Sequence, residues 1–305
     1  MADVAVIGQV ARDLVLAVDE LPGPGAGAPV TARLELLGGA ANQAVGCRQL
    51  GRSAALVGVV GDDEAASVII RQAGDDGLDT SAVVARGGAM TALYVDVVER
   101  GGTRRLLEHV PDGVRLTRDD VAAARDVLTA ARAVLIQLGQ PGPAVLEAAR
   151  VATDGGTLVV LDGSFADASV REEVLARATV VRADAGEAAE LLGRTVTGVP
   201  EALAAARRLL DAGPSLVALA VGQEANVLAW PGGHSVMPLL GGRRVDPTGG
   251  GDAFLAGLVT ALLDGQDPET AGWWASAAAA LTVGRLGGRP DLAVDRVAEA
   301  ARRAR

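Results

Sequence analysis

The sequence predicts an α/β protein: a doubly wound, mostly parallel sheet flanked by helices, with a small second β-sheet supplied by two insertions near the N-terminus. Three observations point there. From about residue 117 onward, helical patterns alternate with short apolar runs, the rhythm of βαβ units whose strands are buried on both faces. Earlier in the chain, four short runs alternate apolar and polar residues with period two, as strands with one covered face do. Finally, 305 residues with 50% hydrophobic content can build one large core, and no linker or internal repeat divides residues 1–305 into separate domains.

The elements follow in order. Asp3-Val4-Ala5-Val6-Ile7-Gly8 reads as a buried strand. Segments 13–19 and 29–36 alternate like strands and are separated by a run of turn residues, Leu21-Pro22-Gly23-Pro24-Gly25-Ala26-Gly27-Ala28-Pro29. A helix is expected near 40–50, a strand over 54–59 and a helix near 63–76. Segments 91–98 and 103–108 form a hairpin around Glu99-Arg100-Gly101-Gly102. Helices at 117–130, 142–153, 167–176 and 199–212 then alternate with strands at 133–138, 157–161, 178–182 and 215–220. Strands near 225–230 and 233–237 precede helices at 250–264, 268–284 and 291–303. The four early strands do not fit the main sheet. A small sheet of this kind has an apolar face and open edges that a ligand or another subunit must cover.

Composition excludes several chemistries. Aromatic residues are only 2%, so the core must be packed from Ala, Val and Leu. A net charge of −10 argues against a nucleic-acid partner. The N-terminal MADVAVIG lacks a basic, then apolar, secretory pattern, and the weakly polar stretch 271–283 is too short for a bilayer, so no membrane association is expected. A single cysteine, Cys47, leaves no internal disulfide and fits a reducing, cytoplasmic compartment. The chain has no lysine, which removes a Walker A lysine, a protein-kinase lysine and a Schiff base. His109 and His234, 125 positions apart, lack metal-ligand spacing.

The most informative stretch is Val245-Asp246-Pro247-Thr248-Gly249-Gly250-Gly251-Asp252-Ala253-Phe254. Three adjacent glycines open an apolar helix. A helix start offers unpaired N–H groups and partial positive charge, and glycines let those amides approach an anion. A carboxylate directly after them repels a phosphate, unless it removes a proton from a hydroxyl that attacks that phosphate. A glycine-rich turn with a capping aspartate would account for the same residues.

This stretch, as Asp246-Pro247-Thr248-Gly249-Gly250-Gly251-Asp252-Ala253-Phe254-Leu255-Ala256-Gly257, resembles the C-terminal signature of the ribokinase-like (PfkB) carbohydrate kinases. Leu37-Gly38-Gly39-Ala40-Ala41-Asn42-Gln43-Ala44, Gly58-Val59-Val60-Gly61-Asp62-Asp63 and Asp184-Ala185-Gly186-Glu187 resemble three further motifs of that family, in family order. The resemblance implies a ribokinase-like fold whose small sheet is a lid, from segments of approximately 12–36 and 88–110, often paired between subunits of a homodimer. It implies ATP and Mg²⁺ as cofactors and a small-molecule sugar as substrate. Asp252 then corresponds to the catalytic base, and Gly249, Gly250 and Gly251 to the anion hole. Asp184 and Glu187 correspond to the motif that organises Mg²⁺ and its waters near the phosphates; a solvated helix start is the alternative for that pair. Gly222, in Gly222-Gln223-Glu224-Ala225, falls where the family has G-x-x-G beside the nucleotide, although Ala225 breaks that pattern. Asp246 and Thr248 sit where some members bind K⁺; a plain turn explains them equally. Asp13, Gly38, Gly39 and Asn42 match the sugar site. The resemblance places the adenine between the Gly222 region and the late helices, here Trp274 to Thr282, where Trp273 and Trp274 are either part of the site or core.

Departures from ribokinases proper fall in the sugar site: Ala11-Arg12-Asp13, Leu37 and Gly39, and Gln137-Leu138-Gly139 replace polar ribose contacts, which puts D-ribose itself in doubt. Arg12, Arg104 and Arg105 are either surface arginines or contacts for an acidic acceptor. The expected activity is ATP-dependent phosphorylation of a sugar hydroxyl. A nucleoside kinase of the same family, or a non-catalytic sugar- or nucleotide-binding homologue, is the alternative.

Overall fold

A computed structural model of the chain describes residues 2–222, 224–241 and 244–305. Its elements run β1 (Val4–Ile7), β2 (Val10–Val18), β3 (Val30–Gly39), α1 (Ala41–Gln49), β4 (Ala54–Gly61), α2 (Glu64–Asp75), β5 (Asp79–Arg86), β6 (Ala92–Glu99) and β7 (Arg104–His109). Next come α3 (Arg118–Ala123), α4 (Arg125–Ala130), β8 (Ala133–Gln137), α5 (Gly142–Asp154), β9 (Leu158–Asp162), α6 (Arg171–Leu175), β10 (Val180–Ala183), α7 (Ala185–Leu192), α8 (Gly198–Leu210) and β11 (Leu216–Val221). The chain ends with β12 (Ala225–Trp230), β13 (Gly233–Pro238), α9 (Gly250–Leu263), α10 (Pro268–Val283) and α11 (Val294–Ala304).

The main sheet has the order β13-β12-β11-β10-β9-β8-β1-β4-β5. Pairings from β11 to β5 are parallel, and β12 and β13 add an antiparallel edge. The strand pleat divides the apolar residues between two cores. In β1, Ala5 and Ile7 face a core shared with α3 to α8, while Val4 and Val6 face one shared with α1, α2, α9, α10 and α11. Strand order runs outward in both directions from β1, so a crevice opens at the carboxyl ends of the strands, where ligands bind in sheets of this type.

The scarcity of aromatic side chains has a packing consequence. Helix α9 is buried on nearly every side, from Ala253 to Ala261. Helix α10 approaches it so closely that a Cβ on Gly257 would lie 2.9 Å from the Trp274 carbonyl and 3.0 Å from the Ala275 Cα. Alanine and glycine thus fill the layer by bringing backbones together rather than by large side chains.

The four early strands form a separate sheet, β3-β2-β6-β7, with β2 and β6 parallel and the other pairs antiparallel. Strand β2 leaves β1 through Gly8-Gln9 and carries the chain out of the main sheet. The small sheet rests on the loop before α9 and the loop after α10. A Cβ on Gly287 would lie 3.0 Å from Leu36 Cδ1 and 3.1 Å from Leu34 Cδ1, and one on Gly102 would lie 3.2 Å from the Arg244 carbonyl oxygen. Val30, Leu106 and Leu107 on its outer strands are exposed.

Two local features differ from the expectation. Strand β5 was not anticipated: it is an edge strand of alternating half-burial, Asp79-Thr80-Ser81-Ala82-Val83-Val84-Ala85-Arg86, whose polar first half reads as loop. The expected helix 117–130 is divided at Ala124 into α3 and α4, and α3 begins with a capping box between Thr117 and Asp120. Among the described residues, no helix is long and apolar enough to cross a membrane.

The close approach of α9 and α10 is directly testable. Gly257→Leu forces side-chain atoms into the α10 backbone and is expected to lower unfolding stability by about 1–3 kcal/mol or more; urea denaturation followed by circular dichroism measures it, and an unchanged midpoint would contradict this packing.

Candidate active site

Helix α9 begins where the glycine run was expected to matter. Gly249 is the N-cap, with φ of +71°, and a Cβ there would lie 1.8 Å from the Gly288 carbonyl oxygen, so only glycine fits. The Gly250 N–H is turned back to the Pro247 carbonyl at 3.3 Å. Among the described residues, the Gly251 and Asp252 amides have no hydrogen-bond acceptor. They are the open donors at this helix start, where partial positive charge collects.

Asp246 and Thr248 shape the approach to that helix. The buried Asp246 carboxylate accepts from the Thr248 N–H (2.9 Å), the Thr248 hydroxyl (2.6 Å) and the Gly287 N–H (2.9 Å). Three donors to one buried carboxylate account for its burial as a loop staple, which is the turn alternative for this pair.

The Asp252 side chain belongs to a linked set of polar groups. The buried Gln43 amide, on α1, donates through Nε2 to Asp252 Oδ1 (3.0 Å) and to Asp162 Oδ2 (2.7 Å) at the end of β9. Asp162 Oδ1 accepts from Arg182 Nη1 on β10 (3.0 Å), and Arg182 Nη1 also reaches Glu187 Oε2 (3.4 Å). Burial, and then the Asp162 charge, push the Asp252 carboxyl up to about 6, although the Gln43 and Asn42 amides and Arg182 oppose the shift. Burial works against the Arg182 charge, but Asp162 and Glu187 more than offset it and hold the guanidinium protonated.

Asp184 is the N-cap of α7 and forms a reciprocal capping box with Glu187: Asp184 Oδ1 accepts from the Glu187 N–H (2.9 Å) and Glu187 Oε2 from the Asp184 N–H (2.6 Å). The expected pair of carboxylates facing one metal is therefore partly committed to the helix. Glu187 Oε1 makes no hydrogen bond among the described residues. Burial raises the Glu187 carboxyl to about 7, so a nearby cation would favour its ionised form. Among the described residues, no cluster of three or more His, Cys, Asp or Glu side chains is placed to hold a metal. One free carboxylate oxygen suits Mg²⁺ that keeps its waters rather than a closed protein cage.

A cleft of about 470 Å³ lies on the far side of Gly250 and Gly251, lined also by Arg182, Asp184, Gly222 and Ala280. Gly222, at φ +51°, turns between β11 and β12 at its edge; Gln223 lies outside the described residues. From α10 the cleft takes Ser276, Ala279, Ala280 and Val283. Trp273 and Trp274 instead border a separate groove with Thr270 and Arg305, which resolves them away from this site.

On the opposite side of Asp252, the small sheet supplies Asp13 from β2. Its carboxyl is buried over Gly38, where a Cβ would lie within 1.9 Å of Oδ2. Asp13 Oδ1 has no hydrogen-bond partner among the described residues. Burial, and then Asp96 and Asp252, raise this carboxyl to about 8. Gly39, at φ +66°, ends β3, and the buried Asn42 lies in the first turn of α1. An unpaired buried carboxyl is an incomplete site, as expected for a group that receives ligand hydroxyls. Of the lid arginines, Arg12 is paired with Glu35 and Arg104 with the buried Asp96.

The structure thus gathers Asp252, Gly250, Gly251, Asp184 and Glu187 around one strand-end crevice, with Asp13, Gly38 and Asn42 on its lid side. Gln43, Asp162 and Arg182 join them, although no role was assigned to them from sequence. The available signals were the position of Gln43 beside Asn42 and the charged residues that end two apolar parallel strands.

Comparison with known proteins shows the family and the fold. The sequence profile described as pfkB family carbohydrate kinase matches residues 1–294. A bifunctional ribokinase/ribose-5-phosphate isomerase A from Fructilactobacillus sanfranciscensis is 28% identical over 93% of the chain; the chain spans 53% of that protein's length. An ATP-dependent ribose-1-phosphate kinase from Halopiger xanaduensis is 31% identical, covering 98% of this chain and 97% of its own. The ribokinase of Arabidopsis thaliana, solved with ribose and ATP, superposes with a TM-score of 0.81 over 98% of both chains at 23% identity.

The raised Asp252 carboxyl sets a pH dependence. Any step that needs it ionised is lost as pH falls through about 6. Asp162→Asn removes the like charge and is expected to move this acid limb to lower pH in a kcat/KM profile; a limb that stays in place would separate Asp162 from Asp252.

Proposed function

The chain belongs to the pfkB family of carbohydrate kinases, and from that premise we propose that it transfers the γ-phosphoryl group of ATP to a hydroxyl of a small sugar, with Asp252 as the general base. One observation carries this reading. Asp252 stands between the two halves of the crevice: its carboxylate is held by α1 on the lid side, while the glycines just before it line the 470 Å³ cleft. A base and a set of open amides are therefore neighbours, as in-line transfer to a hydroxyl requires.

In this reading Asp13 and Asn42 bind acceptor hydroxyls, with Gly38 and Gly39 giving them room. Asp252 takes the proton of the attacking hydroxyl, and the Gly251 and Asp252 amides receive the negative charge on the phosphoryl oxygens. When bound, Mg²⁺ spreads the charge of the phosphate oxygens; Glu187, positioned by its capping box with Asp184, would hold its water shell through Oε1. Gly222 borders the nucleotide. The small sheet, as a lid, excludes water. We assign its outer strands to a homodimer contact and place the enzyme in the cytoplasm. Asp246 acts as a staple through Thr248, and K⁺ is not needed to explain it.

Because Arg12 and Arg104 already have carboxylate partners, the lid geometry favours a neutral acceptor. The 31% identity to a ribose-1-phosphate kinase favours a phosphorylated one. An ADP-release assay against pentoses, hexoses, ribose 1-phosphate, keto-deoxy acids and nucleosides separates the two. Asp252→Asn is expected to reduce kcat by roughly 10²–10⁴-fold on the acceptor found. Nucleotide binding without ADP release on any acceptor, or full activity of the variant, would defeat the proposal.

A further inference from the structure

Arg182 is a residue whose surroundings point beyond a structural ion pair. It lies in the register of two buried strands, beside Asp162 and Ala218, where a charged side chain is costly without a purpose or a partner. One edge of its guanidinium is anchored: Nη1 binds Asp162 Oδ1 and Glu187 Oε2. The other edge is not. Among the described residues Nη2 makes no hydrogen bond, and the side chain, 14% exposed, lines the cleft together with Gly250 and Gly251.

Its position relative to the glycine run is close. A Cβ on Gly251 would fall 2.4 Å from Nη2 and 2.7 Å from Cζ. The guanidinium therefore fills the space that any other residue at 251 would need. It also sits against the residue whose amide has no acceptor. The glycine is required by the arginine as much as by any anion.

We propose that Arg182 is a catalytic residue that binds the transferring phosphoryl group through Nη2, beside the Gly251 amide. This inference rests on the kinase reading above. The chain has no lysine, and the crevice already holds Asp252, Asp162, Asp184 and Glu187. A fixed cation is needed there to offset that negative charge as it builds on the phosphoryl oxygens. A planar guanidinium clamped along one edge presents the other at no further ordering cost, which a flexible ammonium does not. No proton moves in this role: the arginine stays charged while the P–O bond to ADP breaks and that to the acceptor oxygen forms.

A purely structural arginine and a phosphoryl-binding one differ in which nucleotide notices them. Calorimetric titration with Mg-ADP, Mg-ATP and ADP with aluminium fluoride, alongside kcat on the acceptor found for the wild type, is the test. For Arg182→Gln we expect kcat to fall roughly 10²–10³-fold. ADP affinity should stay within about threefold, while ATP and the fluoride complex lose at least about tenfold more than ADP does. Arg182→Lys keeps a positive charge against Asp162 and Glu187, so it retains the fold if the glutamine variant does not. It should show the same selective loss, with part of kcat restored. Equal weakening of ADP and ATP in the folded variant, or unchanged kcat, would overturn the assignment while leaving the kinase reading intact. A wild-type protein that binds no nucleotide would overturn both.

Discussion

The buried amide of Gln43 joins the parts of the candidate site. Among the described residues it is the one side chain that donates to both Asp252, at the start of α9, and Asp162, at the end of β9. Two carboxylates brought together at the strand ends repel each other; a neutral amide donates to both, the buried Asp162 and the half-buried Asp252, and Arg182 offsets the charge from the far side. The series Asp252, Gln43, Asp162, Arg182, Glu187, Asp184 links five elements, α9, α1, β9, β10 and α7, which lie far apart in sequence. Its members depend on one another, so removing any of them leaves a neighbour buried without its partner.

A second constraint acts through the backbone. The helix that carries Asp252 starts correctly only because Gly249 adopts a left-handed conformation against Gly288, and because Asp246 ties Thr248 to Gly287. Gly287 is also the surface on which Leu34 and Leu36 of the small sheet rest. The small sheet and the open amides at the start of α9 are thus two sides of one loop pair. Gly287 thus packs against the small sheet and holds one end of the Asp246 staple.

The core that supports these loops is made from small side chains. Close contact between α9 and α10 follows from glycine and alanine at their interface, and it fixes the direction of the α9 axis, which points its first turn at the crevice. Backbone proximity of this kind leaves little room for adjustment, so the site inherits its precision from the alanine-rich layer behind it.

Much of this was legible in the linear chain. Alternation of helical and apolar segments determined the parallel sheet, period-two runs marked the four strands outside it, and the glycine run with its following carboxylate marked the start of α9, because each of these signals is local. The strand β5 was hidden, since an edge strand needs only half its residues buried and Asp79-Thr80-Ser81 resembles a loop. Tertiary structure alone decided that Gly250 turns its amide inward while Gly251 and Asp252 keep theirs free, that Asp184 and Glu187 cap a helix together, and that Trp273 and Trp274 face elsewhere. It also decided that Gln43, Asp162 and Arg182 join Asp252 in one hydrogen-bonded set. The physical reason is the same in each case: a hydrogen bond between residues 119 positions apart, such as Gln43 to Asp162, leaves no periodicity in the sequence and exists only once the sheet has brought its strand ends side by side.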